Sequence, residues 1–201
     1  MKTVVVTGGT RRLGGYIAAR LRADGWRVIT TSSRADAGAD LLADLSVPGG
    51  AVKLYADVLR LLGGNPPDAL VNNAALFIGD EAAIETLDFL APQKLTILMA
   101  GRETGRGTVV NILDAQVLAP GYTPRAESAA YDRAKLALRD FTLKAAEMFA
   151  DTLDVRSVAP GPVLPPEGFH LKAGVPPDQR PTPESVADAV AELLKSAFDL
   201  P

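Results

Sequence analysis

Short β-branched runs alternate along the chain with stretches of helical periodicity. Lys2–Thr7 is apolar without alternation, which predicts a strand buried on both faces. Leu13, Ile17, Ala18 and Leu21 then recur at helical spacing, and Gly25 closes that helix. Arg27–Thr31 predicts a second strand and Leu41–Leu45 a short third. Tyr55, Val58, Leu59 and Leu62 mark a helix stopped by Gly63-Gly64. Asp68–Asn72, Gly107–Ile112 and Asp154–Val158 predict three more strands, with a long helical stretch over Glu127–Ala150 between the last two. A final helix has Thr182 as cap, Pro183 at its first position, and Val186, Val190, Leu193 and Leu194 on one face. This alternation predicts an α/β fold, a doubly wound parallel sheet of about six strands. No repeat, linker or charge block divides the chain, so residues 1–201 read as a single domain. The Pro/Gly-rich piece from Pro160 to Pro183 is too long for an ordinary connection and is expected to be a substrate loop.

Composition narrows the chemistry. Hydrophobic residues make up 47% and charged residues 22%, as in ordinary soluble domains. No apolar run reaches the roughly 18 residues of a membrane span, so Leu90–Ala100 is at most a buried helix. With 21 basic and 24 acidic residues the net charge is −3, which favours neither nucleic acid nor an anionic membrane as partner. There is no Cys and one His, His170, which excludes disulfides, thiol nucleophiles and Cys/His zinc sites; no metal is expected. The first residues run straight into a glycine-rich turn, unlike the end of a signal peptide, and the expected location is the cytoplasm.

The first strand ends in Thr7-Gly8-Gly9-Thr10-Arg11-Arg12-Leu13-Gly14, and the first helix begins inside that turn. Glycines let backbone approach a pyrophosphate, while a helix start offers free N–H groups and partial positive charge. Gly8, Thr10, Arg11, Arg12, Leu13 and Gly14 are therefore candidate cofactor residues. An NAD-preferring site carries an acid near the end of the second strand, where this chain has Thr30-Thr31-Ser32-Ser33-Arg34. Hydroxyls followed by arginine suit a 2′-phosphate, so Ser33, Arg34, Arg11 and Arg12 together favour NADP(H). Asp44, ending the third strand, is placed to bond an adenine or simply to close a turn.

Tyr131 and Lys135 lie four residues apart on one helix face. A phenol is too weak an acid at neutral pH, and a neighbouring ammonium is expected to lower its pKa into a useful range. Asp114 follows the fifth strand, and Asn72-Asn73-Ala74 follows the fourth, both at the carboxyl edge where such sheets bind ligands.

Taken in order, the Thr7–Gly14 turn, Asn72-Asn73-Ala74, Tyr131-Asp132-Arg133-Ala134-Lys135 and Pro160-Gly161-Pro162-Val163 resemble the short-chain dehydrogenase/reductase family, from Lys2 to about Leu194. The resemblance implies a Rossmann fold. It implies Tyr131 as the residue exchanging a proton with substrate and Lys135 as the nicotinamide-ribose ligand that tunes it. It also implies Asn73 and Ala74 beside the cofactor and Pro160, Gly161 and Val163 bordering the nicotinamide. Arg12 and Asp114 replace the family's usual Gly and Ser, as in pteridine and dihydromonapterin reductases. Those relatives also carry an aromatic residue where Phe77 stands, which implies stacking of a flat substrate; a core aromatic is the plainer alternative.

The match is incomplete. Asp114 and Tyr131 are farther apart than in typical relatives, and the segment from Asn73 to Asp114 is shorter. Leu90 stands where the family's catalytic Asn is expected before Ala91-Pro92, which puts the usual proton relay in doubt. The terminal seventh strand of relatives is expected to be missing. The resulting expectation is an NADPH-dependent reductase acting on a C=O or C=N carbon, with a pterin-like heterocycle or a small ketone as substrate. A non-catalytic NADP(H)-binding regulator or scaffold is the competing reading. By resemblance, a homodimer packed through the two longest helices, or a homotetramer, is expected.

Overall fold

Each apolar run of the sequence becomes a strand of one sheet. A computed structural model describes residues 1–103, 105–123, 126–163 and 179–198. Its strands are β1 (Thr3–Val6), β2 (Arg27–Ser32), β3 (Leu41–Leu42), β4 (Ala69–Asn72), β5 (Gly107–Ile112) and β6 (Leu153–Val158). All pair in parallel, in the order β3-β2-β1-β4-β5-β6. The helices are α1 (Arg12–Ala23), α2 (Gly50–Leu61), α3 (Glu81–Glu85), α4 (Ala91–Ala100), α5 (Ala115–Leu118), α6 (Ala129–Met148) and α7 (Pro183–Phe198).

The unbroken apolar character of the strands is explained by two cores. Successive side chains of a strand point to opposite faces. Val5, Ile29, Leu70, Val109 and Val155 therefore pack on one side against Leu54 and Val58 of α2, Leu95 and Met99 of α4, and Ala145 of α6. Val4, Val6, Val28, Val71, Val110 and Ile112 face the other side, against Ile17 and Leu21 of α1 and Val190 and Leu194 of α7. Each fully buried side chain of this size stabilises the fold by about 1.5–3 kcal/mol relative to exposure.

One polar ladder crosses the first core. The Asn72 amide donates to Asn111 Oδ1 (2.8 Å), and the Asn111 amide donates to Thr142 Oγ1 (2.9 Å). All three residues are buried, so the ladder fixes β4, β5 and α6 in one register.

The third strand is shorter than the expected Leu41–Leu45. After Leu42 the Ala43 N–H still reaches Ser32 O (2.8 Å), but Asp44 then folds back onto Ser46 and ends the pairing. Thr182 caps α7 as expected, its hydroxyl accepting the Ser185 N–H at 3.1 Å. Most of the Pro160–Pro183 loop, including His170, lies outside the described residues, as do residues 199–201. Among the described residues no helix is long and apolar enough to cross a membrane.

The connection from β4 to β5 holds an irregularity. Between α3 and α4 the chain makes a wide π-type turn over Thr86–Leu90, closed by the Ala91 N–H on Thr86 O. Pro92 follows at once and has no N–H to continue the regular ladder, which accounts for a widened turn at this place.

Candidate active site

The strand order reverses direction of winding between β1 and β4, and a cavity of about 550 Å³ opens over the carboxyl ends there. Its walls include every residue singled out in the sequence as a cofactor, substrate or catalytic candidate except Arg34.

At one end is the glycine turn. Gly8 has φ +63°, and a Cβ on it would press on the Ala74 backbone at 3.2 Å. A Cβ on Gly14 would collide with the Gly8 carbonyl, so both positions demand glycine. Asn73 locks this turn to β4: its amide donates to Thr7 O (2.9 Å), and its N–H and that of Ala74 reach the Thr7 hydroxyl (2.9 and 3.0 Å). The α1 N-terminus has neither a capping side chain nor an acidic residue in its first turn, so its N–H groups face the cavity without a competing anion. Arg12 holds φ +47°, the left-handed region, at a cost of about 1–2 kcal/mol for a side chain that glycine would avoid. Those features form a cradle suited to a dinucleotide's pyrophosphate.

Farther out, Ser33 and Asp44 line the same cavity. Asp44 Oδ1 accepts both the N–H (3.0 Å) and the hydroxyl (2.6 Å) of Ser46, which holds its carboxyl below the usual range. Arg34 departs from expectation. Its guanidinium forks onto Asp36 (3.1 and 2.8 Å), two residues on, and does not line the cavity. The sequence reading found no acid within the second strand's end and overlooked the one just past it.

At the other end stands the reactive group. The Tyr131 hydroxyl donates to Asp114 Oδ2 at 3.0 Å, while Asp114 Oδ1 caps α5 by accepting the Gln116 N–H at 2.8 Å. Lys135, one turn along α6, is buried and donates to Ile112 O at 3.0 Å. Its nitrogen lies 5.5 Å from the centre of the Tyr131 ring. Phe77 meets that ring edge-on at 4.9 Å and is 38% exposed, so it is a wall of the cavity rather than a core aromatic. Backbone bonds from Leu113 N to Val158 O (2.8 Å) and Ala115 N to Pro160 O (2.9 Å) draw Pro160, Gly161 and Val163 alongside Asp114.

The electrostatics correct one expectation. The net shift of the phenol is upward: burial first, then the carboxylates of Asp114, Asp88 and Asp132, push Tyr131 well above the ordinary phenol range. The ammonium is itself pulled down by burial and held up by Asp88 and Asp114. Burial is the largest cause of the rise, and the surrounding carboxylates add to it.

Leu90, standing where the resemblance expects an Asn, turns outward and is 41% exposed. The polar group delivered by that turn is Asp88, fully buried, accepting the Leu76 N–H on both oxygens (3.0 and 3.3 Å). No motif reading pointed to Asp88; the available signal was an acid placed four residues before a helical proline. Among the described residues no group of three or more His, Cys, Asp or Glu side chains is arranged to hold a metal.

Comparison with known proteins agrees with this geometry. Residues 2–168 match the family model described as short chain dehydrogenase. The oxidoreductase UxuB of Bacillus subtilis, named as uncharacterized, is 26% identical over 85% of this chain and 74% of its own length. The uncharacterized oxidoreductase MT0954 of Mycobacterium tuberculosis is 30% identical over 81% of this chain and 70% of its own. A Streptomyces violaceoruber protein, provisionally named ketoacyl reductase 2 of the granaticin polyketide synthase, is 27% identical over 96% of this chain and 90% of its own. The parallel sheet, the glycine cradle at its switch point and the matched span have one common explanation: the chain belongs to the short chain dehydrogenase family, oxidoreductases that bind a nicotinamide cofactor.

Proposed function

We propose that this protein is an NADPH-dependent reductase that adds hydrogen across a C=O or C=N bond, with a flat pterin-like heterocycle as substrate. The observation that carries the proposal is the Tyr131 hydroxyl on Asp114, 3.0 Å away, opening into the cavity that begins at the glycine turn.

A reduced nicotinamide, when bound, supplies the hydride. The glycine turn and the start of α1 would hold its pyrophosphate, and Pro160, Gly161 and Val163 would border its nicotinamide. Arg11, Arg12 and Ser33 line the same cavity and would offer their charges and hydroxyl to a 2′-phosphate. Arg34 joins them by exchanging the exposed Asp36 carboxylate for phosphate, an exchange that costs little because surface ion pairs are weak.

Tyr131 gives its phenolic proton to the substrate heteroatom as the adjoining carbon is reduced. The phenolate left behind regains a proton from solvent at the cavity mouth. A phenol held well above its ordinary pKa stays protonated across working pH, but it is also a weaker acid than a free phenol and needs positive charge beside it as it gives the proton up. Lys135 keeps positive charge beneath the ring as the phenolate forms.

An ionised Asp114 can only accept hydrogen bonds, so it favours a substrate that presents N–H donors. A ketone offers none. Phe77 adds a face or edge for a planar ring, worth about 0.5–1.5 kcal/mol beyond burial. The ketone reading is second, supported by the name of the Streptomyces relative.

The test is NADPH consumption by the purified chain, with NADH in parallel, against a dihydropteridine, a quinonoid dihydropteridine and a ketone panel. Turnover of the heterocycles with preference for NADPH is expected. Turnover of ketones alone selects the second reading, and tight NADPH binding without oxidation of any substrate makes the chain a cofactor-binding regulator.

A further inference from the structure

The stretch that leads from Asp114 towards α6 is tied to that helix twice, and the mechanism above uses only one of the ties. The first is the Tyr131 hydroxyl on Asp114 Oδ2, at 3.0 Å. The second is its converse one residue along the helix, where the Tyr122 hydroxyl donates to Asp132 Oδ2 at 2.8 Å. In the first tie α6 supplies the phenol; in the second it supplies the carboxylate. Asp132 is fully buried, and the Ser128 hydroxyl also reaches its Oδ2, at 3.3 Å. Its Oδ1 has no partner among the described residues. A buried carboxylate served on one oxygen depends strongly on each donor it has.

Local sequence makes Tyr122 the point where this stretch returns to the helix. α5 ends at Leu118, and Ala119-Pro120-Gly121-Tyr122 is a tight turn closed by the Tyr122 N–H on Ala119 O at 3.1 Å. Proline at its second position and a glycine at φ +75° in its third are the pattern of a type II turn. Ala119, Pro120, Gly121 and Thr123 are exposed, whereas Tyr122 is half-buried and packs on the cluster of Ile84, Val117, Tyr131 and Ala134. Val117 comes from α5, which Asp114 caps through the Gln116 N–H at 2.8 Å. A shift of α5 therefore carries the Asp114 carboxylate with it.

We infer that Tyr122 and Asp132 are positioning residues whose bond holds α5, and with it Asp114, against α6 while substrate takes the place of the Tyr131–Asp114 bond. The inference rests on the reading that substrate meets Tyr131 and Asp114. Those two side chains satisfy each other in the free protein. A substrate atom that receives the phenolic proton, and an N–H that seeks Asp114, must part them. Of the two ties, only Tyr122 on Asp132 then remains. Without it, substrate has to hold α5 in place by its own contacts, and its affinity falls by that cost. The proton transfer itself and the glycine turn are untouched, because neither Tyr122 nor Asp132 lines the cavity.

Tyr122→Phe keeps the ring in its cluster and removes the donor alone. Kinetics use the full chain with NADPH and whichever of the dihydropteridines or ketones it turns over. KM for that substrate is expected to rise about tenfold, with kcat and NADPH affinity within about twofold. Asp132→Asn still offers an amide oxygen to the Tyr122 hydroxyl, so its KM is expected to stay within about threefold of wild type. Amide hydrogen exchange over Gln116–Leu118, with no substrate present, supplies a readout independent of turnover. It is expected to quicken several-fold in Tyr122→Phe, and several-fold again when Tyr122→Phe is added to Tyr131→Phe. An unchanged KM in Tyr122→Phe overturns the positioning role, and so does a fall in kcat or NADPH affinity as large as the rise in KM. A KM as high in Asp132→Asn as in Tyr122→Phe overturns the hydrogen bond as the link. Unchanged exchange in the double variant overturns the tie itself. Should Tyr122→Phe not fold, Tyr122→Met, which fills similar space without a donor, is judged by the same criteria. A wild-type chain that turns over no substrate overturns the reductase reading instead, and hydrogen exchange still decides whether Tyr122 holds α5.

Discussion

Replacing Tyr131 by phenylalanine removes one oxygen atom and leaves its surroundings almost intact. The ring is 9% exposed and keeps its edge contact with Phe77, so no cavity larger than a hydroxyl opens. The hydrogen bond lost is one to a charged acceptor, worth about 1.5–3 kcal/mol when fully buried. Asp114 is only half-buried and its freed oxygen rehydrates, which brings the net loss of stability to roughly 1 kcal/mol, or about 2–4 °C in Tm for a chain of this size. Activity responds on a different scale. Removing a positioned proton donor costs about 10²–10⁴ in rate. NADPH affinity is expected to stay within about twofold, since the contacts assigned to the adenosine and pyrophosphate lie at the other end of the cavity. The assay pairs initial rates of NADPH oxidation with a fluorescence titration of NADPH on the same preparation. A variant retaining more than about a tenth of wild-type kcat removes Tyr131 from the chemistry. A fall in NADPH affinity as large as the fall in rate shows structural damage instead, and equally refutes the reasoning.

Three further outcomes follow from the same contacts. Asp114→Ser, which restores the family's usual hydroxyl, removes a carboxylate and a hydrogen bond that both raise Tyr131; the phenol pKa falls, and the alkaline limb of the pH–rate profile moves to lower pH. Arg12→Gly relieves the left-handed strain at φ +47° but removes a cation from the cofactor end; NADPH affinity is expected to drop about tenfold with NADH affinity unchanged, read by paired titrations. The outer face of α6 leaves Leu143 and Met148 63% and 71% exposed, as an interface between copies would; Leu143→Glu is expected to turn a homodimer into monomer by sedimentation, and a wild-type monomer at working concentration removes that expectation.

The sheet was legible because its strands are buried on both faces. Val4, Val5 and Val6 read as one apolar run, and the structure shows why: the outer two enter one core and the middle one the other. The candidate site was legible where chemistry is tied to strand ends, as with Gly8, Asn73, Asp114 and the Tyr131–Lys135 pair. The stretch from Glu81 to Ala100 was not. Its orientation depends on a widened turn made ahead of Pro92, and a turn with one extra residue rotates the following and preceding side chains against any regular period. The resemblance therefore pointed to Leu90 as the position of the missing Asn, while the polar side chain the turn buries is that of Asp88. The phenol's electrostatics were illegible for another reason. Lys135 was visible from spacing, but the burial of the ring is a tertiary property, and the carboxylates that add to it come from three separate segments, at positions 88, 114 and 132. Arg34 failed locally, since an acid two residues on is nearer than any ligand.

The same charges bear on which substrate the cavity accepts. Lys135 is a buried ammonium in the cavity wall, and the carboxylates of Asp88 and Asp114 favour its charge. Once Asp88 is ionised, above about 6, the three groups together carry an excess negative charge. Two unit charges 4 Å apart repel by about 1 kcal/mol in water and roughly 4 kcal/mol where the effective dielectric is near 20. A half-buried Asp114 lies between these limits, so an anionic substrate group brought to the mouth binds about one to three orders of magnitude more weakly than its neutral counterpart. A heterocycle with N–H donors reverses the sign: it meets the carboxylate as a hydrogen-bond partner, and a protonated C=N group meets it as an ion pair. The exchange of the family's serine for Asp114 thus does more than hold the phenol. On the proposed function, it makes the mouth favour a ring nitrogen over a carbonyl oxygen.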